Sequence, residues 1–294
     1  MNYYKIIILF SIVVTLIASC SAQKIPPPQK PPKPAKIAVV LGAGATRGFA
    51  HIGVLKILET HKVPIHMIVG TSAGSFVGSL YAFGYNAYAL QSMALSLEKN
   101  DVVDMAMPDN GFIKGEKLEH YVNTALKNAN LETLRIPFYA VATDIRNGKE
   151  VIFGKGNSGI AVRSSCSVPG VFRPVKIADR FYVDGGLVSP IAVDAARKYG
   201  ADIVIAVDVS SPLESFVPET TIETILQSVD IMYSKISESQ LQKADVIIRP
   251  LVGNFGSADF TRRHEAILEG EKAAIKALPA INQILSKLRH EGRL

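Results

Sequence analysis

Cysteine occurs only twice in the 294 residues, at Cys20 and Cys166, which excludes a fold held by a disulfide framework. No His or Cys spacing suits a zinc site, and neither a basic helix nor an aromatic-basic strand is present. No metal, no organic cofactor and no nucleic-acid partner is therefore expected. The positive excess is mild, at +6. Internal repeats are lacking, and the one biased segment is a proline-rich stretch near the amino end. Also missing is a comfortable membrane span: the almost unbroken apolar run Ile6 to Ile17 is too short for one. What is there, with 48% hydrophobic residues, can bury a full core, and a single α/β domain is the expected organisation.

The run Ile6 to Ile17 follows Lys5 and ends in small residues, the pattern of a secretory signal peptide over residues 1–19. Its close, Leu16-Ile17-Ala18-Ser19-Cys20, resembles a bacterial lipobox, whose cysteine becomes the lipidated first residue of the mature protein. The alternative is an incidental or buried cysteine after an ordinary signal peptide. On the first reading several acyl chains sit on Cys20, enough for stable anchoring where one chain is marginal. Cys166 then has no intrachain partner, and loss of Lys5 leaves a net charge of +5. Residues 20–35 form a tether with Pro26, Pro27, Pro28, Pro31, Pro32 and Pro34 and with Lys24, Lys30 and Lys33. At about 3.1 Å per residue in polyproline II geometry, Ser21 to Ala35 reach roughly 45 Å. The lysines either favour anionic head groups or keep the tether solvated. The expected location is the bacterial cell envelope, as a lipid-anchored extracytoplasmic protein; Ser21 is compatible with outer-membrane sorting.

In residues 36–294 the β-rich run Lys36 to Leu41 closes at Gly42, and Phe49 to Thr60 then shows helical spacing. The unit repeats as Ile65 to Val69, the turn Gly70 to Gly74, and the small-residue segment Ser75 to Gly84. Further strands are expected at Phe138 to Thr143, Glu150 to Phe153, Phe181 to Val183, Ile203 to Val207 and Val246 to Ile248. Leu90, Met93, Ala94 and Leu97 keep helical spacing, as do Ile222 to Gln242 and Arg262 to Leu278, with Pro279 marking a new start. Strand-turn-helix units in succession point to a largely parallel sheet covered on both faces.

Two turns carry chemistry. Gly70-Thr71-Ser72-Ala73-Gly74, between a strand and a helix, has the form of a nucleophile elbow, in which a sharp turn presents Ser72 at the carboxyl end of the sheet. Gly70 and Gly74 let backbone pack close to it. Gly42-Ala43-Gly44-Ala45-Thr46-Arg47-Gly48 also follows a strand and opens a helix, so its N–H groups suit an anion. A dinucleotide-binding fold would use them for a pyrophosphate, but wants an acidic residue about twenty positions on, where this chain has Gly70. An acyl hydrolase would use them for a tetrahedral oxyanion, worth about 10² to 10³ in rate per donor.

Gly42 to Gly48 followed by Phe49-Ala50-His51-Ile52-Gly53-Val54-Leu55 resembles the oxyanion loop and first helix of the bacterial patatin-like phospholipases. Three further blocks agree in order: Gly70 to Gly74, Arg163 to Pro174, and Asp184-Gly185-Gly186. The likeness runs from about Lys36 to Pro250. It implies a three-layer α/β/α fold with a central, mostly parallel sheet, and a lipid acyl hydrolase acting on membrane lipids or other acyl esters. It also implies a Ser72-Asp184 dyad without histidine, and an oxyanion hole at Gly42, Gly44, Ala45, Thr46, Arg47 and Gly48. Many relatives carry further glycines where this chain has Ala43 and Ala45, so a positive φ at Ala45 would strain the hole.

Other candidates are read from their neighbourhoods. Asp144 and Asp208 follow strands without a glycine pair and suit turns or caps. Arg47 is open to steadying its loop, meeting a lipid phosphate or forming a surface ion pair. His51 reads as a packing or hydrogen-bonding residue and Cys166 as a small core residue. Met105, Met107, Phe112 and Ile113, in a loop, suit an acyl site, a lid or ordinary packing. Three rival functions remain: an α/β-hydrolase using Ser72, Asp184 and His264, a catalytically weak binding protein that keeps the fold, and, third, a dinucleotide-binding protein.

Overall fold

The computed structural model describes residues 31–107, 109–210, 217–253, 255–256 and 259–294. The expected signal peptide, Cys20 and most of the expected tether lie outside the described residues. One folded unit runs from Pro34 to Leu294.

Its centre is a sheet in the order β10 (Val246–Ile248), β9 (Ile203–Val207), β1 (Ile37–Leu41), β2 (Met67–Thr71), β4 (Phe138–Asp144), β8 (Arg180–Asp184), β7 (Val175–Ile177), with β5 (Lys149–Phe153) also on β4. Pairs from β10 through β4 are parallel, and those of β4 with β5 and β8, and of β7 with β8, are antiparallel. Burial on both faces follows from alternation: Ile37, Val39 and Leu41 of β1 pack into one apolar layer, Ala38 and Val40 into the other. The first layer is closed by α1 (Ala50–Thr60), α2 (Ala73–Phe83), α3 (Ala87–Ser96), the short α4 (Lys99–Val102), α5 (Glu116–Ala125), α6 (Ser158–Cys166) and the long carboxyl-terminal helix. The second is closed by α7 (Val193–Lys198) and the end of α8 (Thr221–Leu241). This is the expected three-layer α/β/α architecture.

Two expectations need correction. Helix α9 (Arg263–His290) does not stop at Pro279 but runs through it. Its buried stripe continues across the proline as Ala274, Leu278, Ile281, Leu285 and Leu288. The carbonyl deprived of an N–H partner belongs to Ile275, on the exposed side, where water can serve it. The segment around Phe112 is not wholly loop: β3 (Gly111–Ile113) pairs in parallel with β6 (Gly170–Phe172) in a second, two-stranded sheet.

Candidate active site

Strand register places the two central residues. Thr71, the last residue of β2, pairs with Val141 of β4, and the next β4 residue, Ala142, pairs with Asp184 of β8. Ser72 therefore leaves β2 where Asp184 arrives. Ser72 has φ 55 and ψ −125, a left-handed conformation that costs a side-chain-bearing residue about 1–3 kcal/mol and persists only where neighbours hold it. The Ser72 N–H donates to Ser165 Oγ at 2.9 Å, and that hydroxyl donates to the Val141 carbonyl at 2.5 Å. The Ser72 carbonyl accepts from the N–H groups of Ser75 and Phe76, at 2.8 and 3.1 Å. A Cβ at Gly74 would stand 2.0 Å from the Leu41 carbonyl oxygen, and one at Gly70 2.5 Å from that of Gly74, so the elbow closes only with glycine at both.

Asp184 is fully buried. Its Oδ1 accepts from the Gly186 N–H at 2.7 Å and from the Tyr233 hydroxyl at 2.9 Å. Its Oδ2 is buried and has no hydrogen-bond partner among the described residues. The Ser72 hydroxyl also acts on the carboxylate and favours its ionised form. Burial pushes the Asp184 carboxyl up to about 6, against the pull of Ser72, Gly186 and Tyr233. The glycine pair has a local reason. A Cβ at Gly185 would meet the Val141 carbonyl oxygen at 2.2 Å, and one at Gly186 the Tyr233 ring at 2.2 Å.

The glycine-rich loop divides its work. Gly42 and Ala43 donate to the carbonyls of Val207 and Pro190, and Arg47 closes the turn onto Gly44, so among the described residues the N–H groups of Gly44, Ala45 and Thr46 have no backbone partner. Gly48 lies against Ala73, whose Cβ a side chain there would meet at 2.4 Å. Ala45 sits at φ 49, the strained conformation anticipated for a position without glycine. Arg47 forms an ion pair with Asp230 at 2.5 Å, and it is buried rather than on the surface, with the two side chains 4% and 9% exposed.

In front of Ser72 opens a cavity of about 280 Å³, largely apolar, walled by Phe49, Phe76, Leu97, Val168, Ile222 and Leu226 among others. Met105 and Ile113 also line it, whereas Met107 does not and is 84% exposed. Cys166 is a wall residue, and burial raises its thiol pKa, which keeps it protonated.

The remaining candidates take structural posts. His51 Nε2 donates to the Gly42 carbonyl at 2.8 Å, and burial lowers its pKa to about 4, so it supports the loop as a neutral ring. His264 is exposed at the start of α9 and is not a wall of the cavity, which leaves the triad without its histidine. Asp144 caps a turn through the Arg146 N–H, and Asp208 bonds Ser210 and Arg249. Among the described residues no cluster of ligating side chains suits a metal ion, and no helix is long and apolar enough to cross a membrane. Ser165, Asp230 and Tyr233 escaped the sequence reading. The last two fall on the buried face of α8 at helical spacing, where an apolar residue is the norm.

Residues 39–197 match the model of the family described as patatin-like phospholipase, and the chain belongs to that family. It is 34% identical over 181 residues to Lysophospholipase NTE1 of Debaryomyces hansenii, an alignment covering 60% of this chain and 12% of that protein. An uncharacterized NTE family protein of Mycobacterium tuberculosis is 32% identical over 201 residues, covering 66% of this chain and 56% of the other. The patatin-like phospholipase domain-containing protein 6 of Mus musculus is 34% identical over 187 residues, 61% of this chain and 14% of that one. Among solved structures, VipD from Legionella pneumophila superposes with a TM-score of 0.58 at 12% identity, covering 85% of this chain and 67% of that chain, a likeness of fold.

Proposed function

We propose that the chain is a serine lipid acyl hydrolase in which Ser72 and Asp184 form the catalytic dyad. The observation that carries this reading is the Asp184 carboxylate. One oxygen is held by two donors, while the other has no hydrogen-bond partner among the described residues and the carboxylate lies within reach of the strained Ser72, which lines an apolar cavity. Ser72 Oγ attacks the acyl carbonyl carbon as Asp184 Oδ2 takes its proton. The N–H groups of Gly44, Ala45 and Thr46 stabilise the tetrahedral oxyanion. Collapse expels the alcohol portion of the lipid, which leaves with the proton from Asp184, and the acyl chain stays in the cavity. Water, deprotonated by Asp184, then attacks the acyl-enzyme, and the fatty acid is released as Asp184 returns the proton to Ser72 Oγ.

The relatives named lysophospholipases support a phospholipid or lysophospholipid as the ester cleaved. The test is labelling by an active-site fluorophosphonate alongside initial rates on a soluble short-chain ester. Ser72→Ala should remove both, and labelling at another serine that survives the substitution refutes the assignment. Mass spectrometry of products from mixed membrane lipids then names the substrate.

For the amino end we propose anchoring in the cell envelope through lipidated Cys20, on the strength of the apolar run and small residues before it. Cys20→Ala should release the protein from washed membranes or block its maturation. A variant that is processed and sediments with membranes as before refutes the anchor.

A further inference from the structure

Helix α8 meets the site at several points along one face. Ile222 and Leu226 at its beginning line the cavity. Asp230 holds Arg47 of the oxyanion loop, and Tyr233, almost one turn on, reaches Asp184. Gln240 near its end accepts the Ile191 N–H at 2.9 Å and donates to the Val188 carbonyl at 3.3 Å, holding the segment that follows Asp184. The buried polar residues of this helix thus contact the loop, the base and the strand exit behind the base.

Tyr233 is the member of this set that bears on the proton transfer. A carboxylate held by one donor can still turn about its Cβ–Cγ bond. A second donor on the same oxygen fixes its plane and leaves the other oxygen open. Gly186 supplies the first donor and Tyr233 the second, and the absence of a side chain at Gly186 is what admits the Tyr233 ring. Burial and the Asp184 charge hold the phenol well above its ordinary range, so it stays a donor at any working pH. Tyr233 is not a wall of the cavity and has no part in holding the acyl chain.

Resting on the Ser72-Asp184 reading, we infer that Tyr233 is a positioning residue of the reaction: with the Gly186 N–H it clamps Oδ1 of Asp184 so that Oδ2 faces the Ser72 hydroxyl. The role is indirect, through the orientation and charge of the base, and it predicts a particular kinetic signature.

The experiment compares Tyr233→Phe with the unaltered protein, Ser72→Ala and Asp184→Asn on a soluble short-chain ester across pH, with thermal melting as the check of folding. Phenylalanine keeps the ring against Gly186 and removes the hydroxyl alone. Turnover should fall by about tenfold near pH 7 with KM nearly unchanged, as expected for loss of one hydrogen bond to a charged group. The acidic limb of kcat/KM should move up by about one pH unit, because a donor that favoured the carboxylate is gone. A folded Tyr233→Phe with unchanged kcat and pH profile, beside inactive Ser72→Ala and Asp184→Asn, overturns the inference and leaves the dyad standing. A fall in kcat with an unmoved acidic limb assigns the residue to packing and also overturns it. An active Asp184→Asn defeats the dyad and the inference together.

Discussion

Asp184 should make the fold less stable at neutral pH than it would be with a neutral side chain in its place. Burial raises the carboxyl from an ordinary 3.8 to about 6, so folding favours the protonated acid. A raised folded-state value contributes stability that is fully present below about 3.8 and is lost as pH rises through about 6. The rise of roughly two pH units, at about 1.36 kcal/mol each, puts the cost at pH 8 near 3 kcal/mol. Asp184→Asn removes the charge while keeping an oxygen for the donors of Gly186 and Tyr233. At about 2–4 °C per kcal/mol for a domain of this size, its melting temperature at pH 8 should exceed that of the unaltered protein by several degrees. The gap should close towards pH 4, and turnover should fall by about 10² to 10⁴ above about pH 6, where the carboxylate is ionised. The assay is thermal melting at a series of pH values together with initial rates. A variant that melts lower at pH 8, or a gap that ignores pH, refutes the reasoning.

Asp230→Ala strands the Arg47 guanidinium and should cost about 3–5 kcal/mol, whereas Arg47→Met with Asp230→Leu should recover much of that stability; denaturant unfolding of the two variants separates the cases. Ala45→Gly should raise the melting temperature slightly, since relief of about 1–2 kcal/mol of left-handed strain outweighs the roughly 0.5–1 kcal/mol entropic cost of glycine; a lower melting temperature counts against the strain. Cys166, with its thiol held protonated, should resist iodoacetamide at pH 8 in the folded protein and react once it is unfolded, as mass spectrometry would show.

Most strands of the central sheet were legible because each is a short β-rich apolar run, and several stop at glycine or aspartate; β7 (Val175–Ile177) was not among those expected. Ile203–Val207 and Val246–Ile248 fall where the residues place them. The turns at Gly42, Gly70 and Asp184 were legible for a different reason. Each must bring backbone within about a carbonyl's reach of another strand, and glycine is the residue that permits it. The three-residue strands β3 and β6 were hidden, since such short runs carry no periodicity and their pairing joins distant parts of the chain. Pro279 misled because its local penalty was weighed without the buried stripe that continues on both sides of it.

Proximity of Ser72 and Asp184 was suggested by family resemblance, yet its physical cause is register, which no local pattern encodes: β4 ends its pairing with β2 at Val141 and begins that with β8 at Ala142. The support around the pair was hidden more deeply. Asp230, Tyr233, Ser237 and Gln240 recur at three- and four-residue steps along α8, the spacing of a buried face, beside the apolar Leu226 and Val229. Polar side chains at buried spacing require partners, since an unpaired polar group in the interior costs on the order of 1–3 kcal/mol. The sequence thus signals that α8 packs against polar groups elsewhere in the chain. Only the fold reveals that one partner is the carboxylate assigned as the base, and another the arginine of the loop assigned to the oxyanion. A helix containing neither proposed catalytic residue therefore contacts both the proposed base and the glycine-rich loop.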